Sequence, residues 1–212
     1  MERDRDTNNE IIIYEADKAE LKCIENQYAE DFPIEERKTF EKLNVMLSDE
    51  SQKYKLIIAR YIEERERVAG YALVYVEEEM FFLDYFAVDK HKRSSGIGSI
   101  FIKKMCDCLY SGKSLVGEIE RTNNDENSDE NRRRRFYMKL GAVSIPFTYY
   151  MPTPEGKQQM EFLVIAHKEC KVIESTKLKS IVRNAVSFVH SDLPHTQSVI
   201  ETYISNIKDY KL

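Results

Sequence analysis

The residues that first suggest chemistry are Arg93-Ser94-Ser95-Gly96-Ile97-Gly98. They follow an apolar run ending at Val88 and precede an amphipathic run starting near Gly98. Two of the chain's seven glycines fall here, one residue apart. The opening N–H groups of a helix have no intrahelical partners and sit at the positive end of its dipole. Small residues let that backbone approach a ligand closely. A strand–loop–helix turn of this composition therefore suits a phosphate or pyrophosphate. Lys90, Lys92 and Arg93 add cationic charge at the rim. A plain tight connection would use the same residues, so the loop alone leaves both readings open. Two phosphate motifs do not fit. The G-x-G-x-x-G fingerprint needs a third glycine where Phe101 stands, and Ser111-Gly112-Lys113-Ser114 lacks the first P-loop glycine, Asp107 taking its place.

Other chemistries find little support. Four cysteines (Cys23, Cys106, Cys108, Cys170) include no C-x-x-C pair, so reduced thiols are expected. His91 and His167 read as surface residues, and no spaced His/Cys set predicts a metal site. A net charge of -5 and a pI near 5.6 argue against nucleic acid as partner. The run Arg132–Arg135 comes without an aromatic stacking motif, which weakens an RNA-binding reading. No apolar stretch approaches the roughly 18 residues of a membrane span. The charged start Met1–Glu10 lacks the apolar centre of a signal peptide, so a cytoplasmic location is expected.

The elements that would position the loop follow from periodicity. Ile11–Tyr14 is a β-branched run and a first strand. Lys18–Leu47 reads as helical and is broken by Pro33, with Ile34, Phe40, Leu43 and Leu47 at near-helical spacing. Strand-like runs follow at Tyr54–Ile62, Val68–Val76 and Phe81–Val88, with charged turns at Glu63–Arg67 and Glu77–Glu79 that favour hairpins. Ile97, Phe101, Met105 and Cys108 form one helical face that ends near Gly112. Ser114–Glu120 is another strand. The polar loop Arg121–Glu130 leads into a helix with Asp129 and Glu130 at its start and Gly141 at its end. Val143–Tyr150 and Met160–His167 are further strands. Two helices around Leu178–Val189 and Val199–Ile207 close the chain, with Pro194 between them. The sum is an α/β fold: a mixed, largely antiparallel sheet of about seven strands flanked by helices, with two extra C-terminal helices.

The residues Val88-Asp89 and Arg93-Ser94-Ser95-Gly96-Ile97-Gly98 resemble the R-x-x-G-x-G/A acyl-CoA loop of the GNAT N-acetyltransferase superfamily. About forty residues on, Arg135-Phe136-Tyr137-Met138-Lys139-Leu140-Gly141-Ala142 is similar to that family's F-Y-x-K-L-G-F segment. The resemblance spans residues 11 to about 167. It implies acetyl-CoA as cosubstrate, with its pyrophosphate on Arg93, Ser94, Ser95, Gly96, Ile97, Gly98 and Ser99. It also implies a strand bulge near Phe86, Ala87 and Val88, backbone pairing there with the pantetheine arm, and the Val88 N–H polarising the thioester carbonyl. Many relatives carry N-x-x-A-x-x-F-Y. Here Glu130 and Arg133 occupy the Asn and Ala positions, and Asn131, displaced by one, is the remaining candidate to hold CoA.

Acetyl transfer to an amine needs a neutral nitrogen, and an amine of pKa about 10 is neutral in about one molecule per thousand at pH 7. A base therefore helps. Glu118 and Glu120 share one face of their strand and lead the candidates; Asp84, on the neighbouring strand, is the alternative. Carboxylates at strand ends are mostly solvated or paired, and that is the competing reading for each. Tyr137 takes the family's tyrosine position and is expected to protonate the departing thiolate, against a plain packing role beside Leu140. No cysteine stands in a nucleophile context, so direct attack in a ternary complex is favoured over an acetyl-enzyme. The acidic candidates favour a cationic amine acceptor. A non-catalytic acyl-CoA-binding regulatory module is the competing reading, one that needs the loop but not Tyr137. Residues 1–170 are taken as the acetyltransferase domain and 171–212 as a helical extension packed on it. The extension's apolar stripes could cover the sheet, complete the acceptor pocket or form a homodimer interface.

Overall fold

A computed structural model of the protein describes residues 11–122 and 125–212. The charged start Met1–Glu10, and Asn123 and Asn124 of the polar loop, lie outside the described residues. The chain divides into two compact units, Met1–Val76 with Asp84–Ser111, and Glu77–Leu83 with Gly112–Leu212. Residues 171–212 belong to the second unit together with the strands that follow Gly112.

The first unit is built on antiparallel pairing. Strand β1 (Ile11–Ala16) pairs with β2 (Tyr54–Tyr61), from Ile11↔Tyr61 to Ala16↔Leu56, and β2 pairs with β3 (Val68–Val76). A register shift between Ala59 and Arg60 interrupts the second ladder. Between β1 and β2 a 3-10 turn (Lys18–Ile24) runs into α1 (Glu25–Asp31). After the break at Pro33, α2 (Phe40–Leu47) starts where the Thr39 side chain accepts the Lys42 N–H. Ile34 lies in that break and is exposed, so it does not join the helical face expected of it. Strand β4 (Met80–Val88) contributes Asp84–Val88 to this unit. Helix α3 (Ile97–Lys104) continues through a widened turn, Met105–Leu109, and the chain reverses at Gly112, whose φ is +81°. Ile57, Ile58, Tyr71, Leu73 and Phe101 are the fully buried centre.

In the second unit the first half of β4 pairs in parallel with β5 (Ser114–Glu120), from Met80↔Ser114 to Leu83↔Gly117. Strand β5 pairs antiparallel with β8 (Gly156–Ile165). Helix α4 (Asp129–Lys139) lies between them in sequence, with the Ser128 hydroxyl accepting the Asn131 N–H at its start and Gly141 at φ +85° after its end. The expected strand Val143–Tyr150 is in fact two, β6 (Val143–Ser144) and β7 (Tyr149–Thr153), both paired with β8. Pro146 has no N–H to give a ladder, and the chain kinks there, Phe147 N–H donating to Ile145 O. Strand β8 begins four residues before the expected Met160, at the Thr153↔Gly156 hairpin. Its opening residues Lys157, Gln158 and Gln159 are exposed and polar, which hides the strand from a hydrophobic pattern.

Helix α5 (Ser175–Ile181) runs on through a wide turn to α6 (Ser187–Val189), and α7 (Thr196–Glu201) follows Pro194. The apolar stripe Leu178, Ile181, Val182, Ala185, Val186 and Val189 is fully buried within one chain. A small ribbon of β9 (Val172–Ile173) and β10 (Tyr210–Lys211) ties the last residues to the start of this segment. The pairings recorded above are all antiparallel except that of β4 with β5.

Candidate functional site

In the first unit, β4 delivers the chain to the loop and Asp89 fixes its exit. The Asp89 carboxylate accepts from the His91 N–H (2.9 Å), from Arg67 (2.6 Å) and from the Tyr61 hydroxyl (3.2 Å). Burial pushes its pKa up, but the His91 amide, Arg67 and Tyr61 outweigh it and hold the group below its ordinary value. Beyond it the backbone turns left-handed twice, at Ser94 (φ +65°) and Gly96 (φ +93°). The Ser95 hydroxyl donates to Lys92 O at 2.6 Å and closes the turn. Gly96 is the residue before α3, and its carbonyl accepts the Ile100 N–H at 3.0 Å. The N–H groups of Ile97, Gly98 and Ser99 are therefore the opening donors of the helix. Ile97 itself is buried and anchors the helix, while Arg93, Ser94, Ser95 and Gly96 are exposed. Among the described residues, its chain neighbours aside, no atom lies within 4 Å of where a Gly96 Cβ would be, so space above the turn is open.

Two of the three rim cations are already engaged. Arg93 donates to Asp31 at 2.7 Å and Lys90 to Glu30 at 2.5 Å, both acids standing at the end of α1. Burial pushes the Asp31 carboxyl up against the opposing pull of Arg93. Beneath the loop, Phe86 packs on Phe101 with ring centres 5.3 Å apart. Ala87 and Val88 lie so close to β3 that a Cβ on Gly70 would come within 2.8 Å of Ala87 O.

Asp84 belongs to this unit and is fully occupied. Lys38 Nζ sits 3.0 and 3.1 Å from its two oxygens, and the Tyr54 hydroxyl donates to it at 2.5 Å. Lys38 also lies over the Tyr85 ring, 4.7 Å from its centre. The sequence offered no sign of Lys38 or Tyr54 as its partners, because 46 and 30 residues separate them from it.

In the second unit, Glu118 and Glu120 share a face of β5 as expected, with Ile119 buried on the other side. Their surroundings differ. Glu120 forms an ion pair with Arg133 of α4. Glu118 stands opposite Phe162 on β8, and Tyr149 stands opposite Met160 on the other side of β8. Two residues apart on β8 is one face, so Glu118 and Tyr149 point the same way. Tyr203, just beyond α7, stacks edge-on against Tyr149 at 5.2 Å. Both tyrosines are buried, and neither hydroxyl completes a well-aligned hydrogen bond. Burial first, then the neighbouring Glu118 charge, pushes both phenols up. These tyrosines were missed from the sequence, where nothing links positions 118, 149 and 203.

Tyr137 lies on α4 against Ile119, Ala142 and Leu163, with the Phe136 ring 5.1 Å away. Its phenol is pushed up to about 12, chiefly by burial, with Arg133 pulling it down and Glu120 pushing it up. It therefore stays protonated through the physiological range. Asn131 donates through Nδ2 to Asp125 O (2.9 Å) and Ser128 Oγ (3.3 Å), so it shapes the start of α4. The arginine run is satisfied locally: Arg132 pairs with Asp129, Arg134 with Glu161, and Arg135 donates to Glu126 O. A cavity of about 340 Å³ opens in this unit beside Ser114, His167 and Lys177. It lies at the opposite end of β5 from Glu118 and Glu120 and holds none of the candidate residues. Among the described residues no His/Cys/Asp/Glu cluster suits a metal ion, and no helix is long and apolar enough to cross a membrane.

This fold recurs in known acetyltransferases. The chain superposes on "Putative acetyltransferase from GNAT family from Bacteroides thetaiotaomicron" with a TM-score of 0.66 at 19% identity, covering 83% of this chain and 96% of that one. It superposes on the Escherichia coli ribosomal-protein-S18-alanine N-acetyltransferase with a TM-score of 0.52 at 18% identity, covering 76% and 98%. The Vibrio cholerae spermidine/spermine N-acetyltransferase SpeG gives 0.53 at 11%, covering 75% and 94%. In sequence the chain is 29% identical over 156 residues to "Putative acetyltransferase YjbC" of Bacillus subtilis (strain 168), across 70% of this chain and 74% of that protein. No family model matches the chain. The protein has the fold of the GNAT N-acetyltransferases, and its curated relative carries the name of an acetyltransferase.

Proposed function

We propose that the protein is an acetyl-CoA-dependent N-acetyltransferase that passes the acetyl group to an amine acceptor by direct attack in a ternary complex. The observation that carries this is the loop. Left-handed Ser94 and Gly96 aim the opening amides of α3 outward with open space above Gly96, which fits a pyrophosphate. Arg93 would exchange Asp31 for a phosphate oxygen, and Ser94–Ser99 would supply the remaining contacts. Parallel pairing of β4 with β5 runs only from Met80 to Leu83, while β4 continues to Val88. Phe86, Ala87 and Val88 would offer backbone groups to the pantetheine arm, the Val88 N–H polarising the thioester carbonyl.

Among the three carboxylates, Glu118 is the base. Asp84 pairs with Lys38 and accepts from Tyr54 within the first unit, and Glu120 pairs with Arg133; Glu118 faces the buried tyrosines Tyr149 and Tyr203, whose hydroxyls can orient a base. Tyr137, held protonated by burial, supplies the proton to the departing thiolate. Asn131 acts on the donor only through the start of α4. A carboxylate base and a net acidic chain suit a cationic amine.

The test is acetyl-CoA consumption across a panel of polyamines, amino acids, aminoglycosides and peptide N-termini. Turnover with one class supports the reading. Tight acetyl-CoA binding with no turnover on any class would make the protein an acyl-CoA-binding module instead.

A further inference from the structure

The C-terminal segment carries a side chain into the surroundings of Glu118. Tyr203 follows α7, is 1% exposed, and packs against Tyr149 (5.2 Å between ring centres) and Phe147 (6.0 Å). Tyr149 is likewise buried, its ring 5.1 Å from that of Phe162, the residue opposite Glu118 on β8. Burying a phenol hydroxyl without a well-aligned hydrogen bond is costly, and packing alone would be served as well by phenylalanine. Two such hydroxyls, on rings in contact and on the face that Glu118 shares, with an oxygen of Glu118 buried as well, point to a polar device rather than a filler.

We infer that the segment after α7 is a working part of the acceptor side, Tyr203 acting through Tyr149 to orient the Glu118 carboxylate. This rests on Glu118 being the base of the proposed reaction. Tyr203 is a positioning residue in this scheme and touches no substrate. Its hydroxyl steadies that of Tyr149, which donates toward Glu118. The carboxylate is thereby held in one rotamer with its other oxygen turned to the amine, the arrangement in which a base is oriented by a further group. On the same face of β5, Glu120 is paired with Arg133, while Tyr137 packs with Ile119 on the opposite face.

Tyr203→Phe removes the hydroxyl and keeps the ring. With an accepted amine, kcat is expected to fall about tenfold while the acetyl-CoA KM stays the same. Hydroxyl donation stabilises a carboxylate's charged form, so its loss raises the pKa of the base and moves the acidic limb of the pH–rate profile upward. A merely structural role would lower the melting temperature and leave that limb in place. The same shift is read without turnover by 13C titration of the Glu118 carboxyl, in the wild-type protein and in Tyr203→Phe. A higher midpoint in the variant supports the inference, and equal midpoints overturn it. Failure of the wild-type protein to acetylate any amine defeats the proposed function, whereas normal turnover with an unchanged pH profile in Tyr203→Phe defeats only the role of Tyr203.

Discussion

The loop of the first unit and the Glu118 group of the second use opposite means to present polar atoms. The loop does it with backbone: two left-handed residues, a short hydroxyl-to-carbonyl bond and the opening amides of α3, all within Lys92–Ile100. The Glu118 group does it with side chains from β5, β7 and the segment after α7, gathered from 118, 149 and 203. A backbone cradle tolerates side-chain change but not a change of φ. A side-chain cluster tolerates the reverse. Each therefore fails under a different class of mutation, and the expected effects separate them.

The largest effect is expected at Glu118. Glu118→Gln keeps the shape and removes the base, so kcat should fall about 100-fold or more. The acetyl-CoA dissociation constant, measured by calorimetry, should not move, because the loop is backbone. A parallel loss of acetyl-CoA affinity would erase the division between donor loop and acceptor-side cluster.

Asp84 offers the contrast within the first unit. Its oxygens are held by Lys38 and Tyr54, in a pair whose side chains are 10% and 8% exposed. Lys38→Met strands that carboxylate, and breaking such a buried pair costs about 3 kcal/mol. Thermal or urea unfolding should show the loss, while kcat of the folded protein stays within about twofold. A collapse of kcat with unchanged stability would return Asp84 to the list of bases.

Tyr137→Phe is expected to lower kcat by roughly ten- to a hundred-fold and leave acetyl-CoA binding intact. The sign of its pH dependence is fixed. Burial raises the phenol from 10.0 to about 12, so its proton is present at neutral pH and leaves only as pH rises toward 12. The kcat profile should therefore show no alkaline limb from Tyr137 below about pH 10, and an earlier limb that disappears in Tyr137→Phe would contradict the burial.

The same contrast decides what could be read from the sequence. Local devices were legible: the loop, the Gly141 stop and β5 are each set by residues a few positions apart. Long-range ones were not. Pro146 splits a run that looked like one strand, and β8 begins in exposed glutamines that carry no hydrophobic alternation. Glu118, Glu120 and Asp84 were equal as a list of acids. Only tertiary contacts gave Asp84 a lysine, Glu120 an arginine and Glu118 two tyrosines.

Arg93 should give a smaller effect than its charge suggests. A charge-assisted bond to phosphate is worth about 1.5–3 kcal/mol, but here Arg93 must first leave Asp31. Arg93→Ala is expected to weaken acetyl-CoA binding about tenfold at most. Asp31→Asn, which frees the guanidinium, should strengthen binding by a lesser factor. If Asp31→Asn weakens binding instead, the pair positions the loop rather than competing for the ligand.

The smallest change asks whether the cradle is conformational. Among the described residues, its chain neighbours aside, no atom lies within 4 Å of a Gly96 Cβ, so Gly96→Ala meets no clash and tests φ +93° alone. Alanine in a left-handed conformation costs about 1 kcal/mol, a melting shift on the order of 3 °C for a chain of this size. If the backbone relaxes to escape that strain, the amides of Ile97, Gly98 and Ser99 turn away and the acetyl-CoA KM rises severalfold with kcat unchanged. If the melting point drops and KM does not, the strain has been absorbed in place and the donor amides still face outward. A fall in kcat at constant KM is the outcome the comparison forbids, because nothing in the Glu118 cluster depends on the backbone of Gly96.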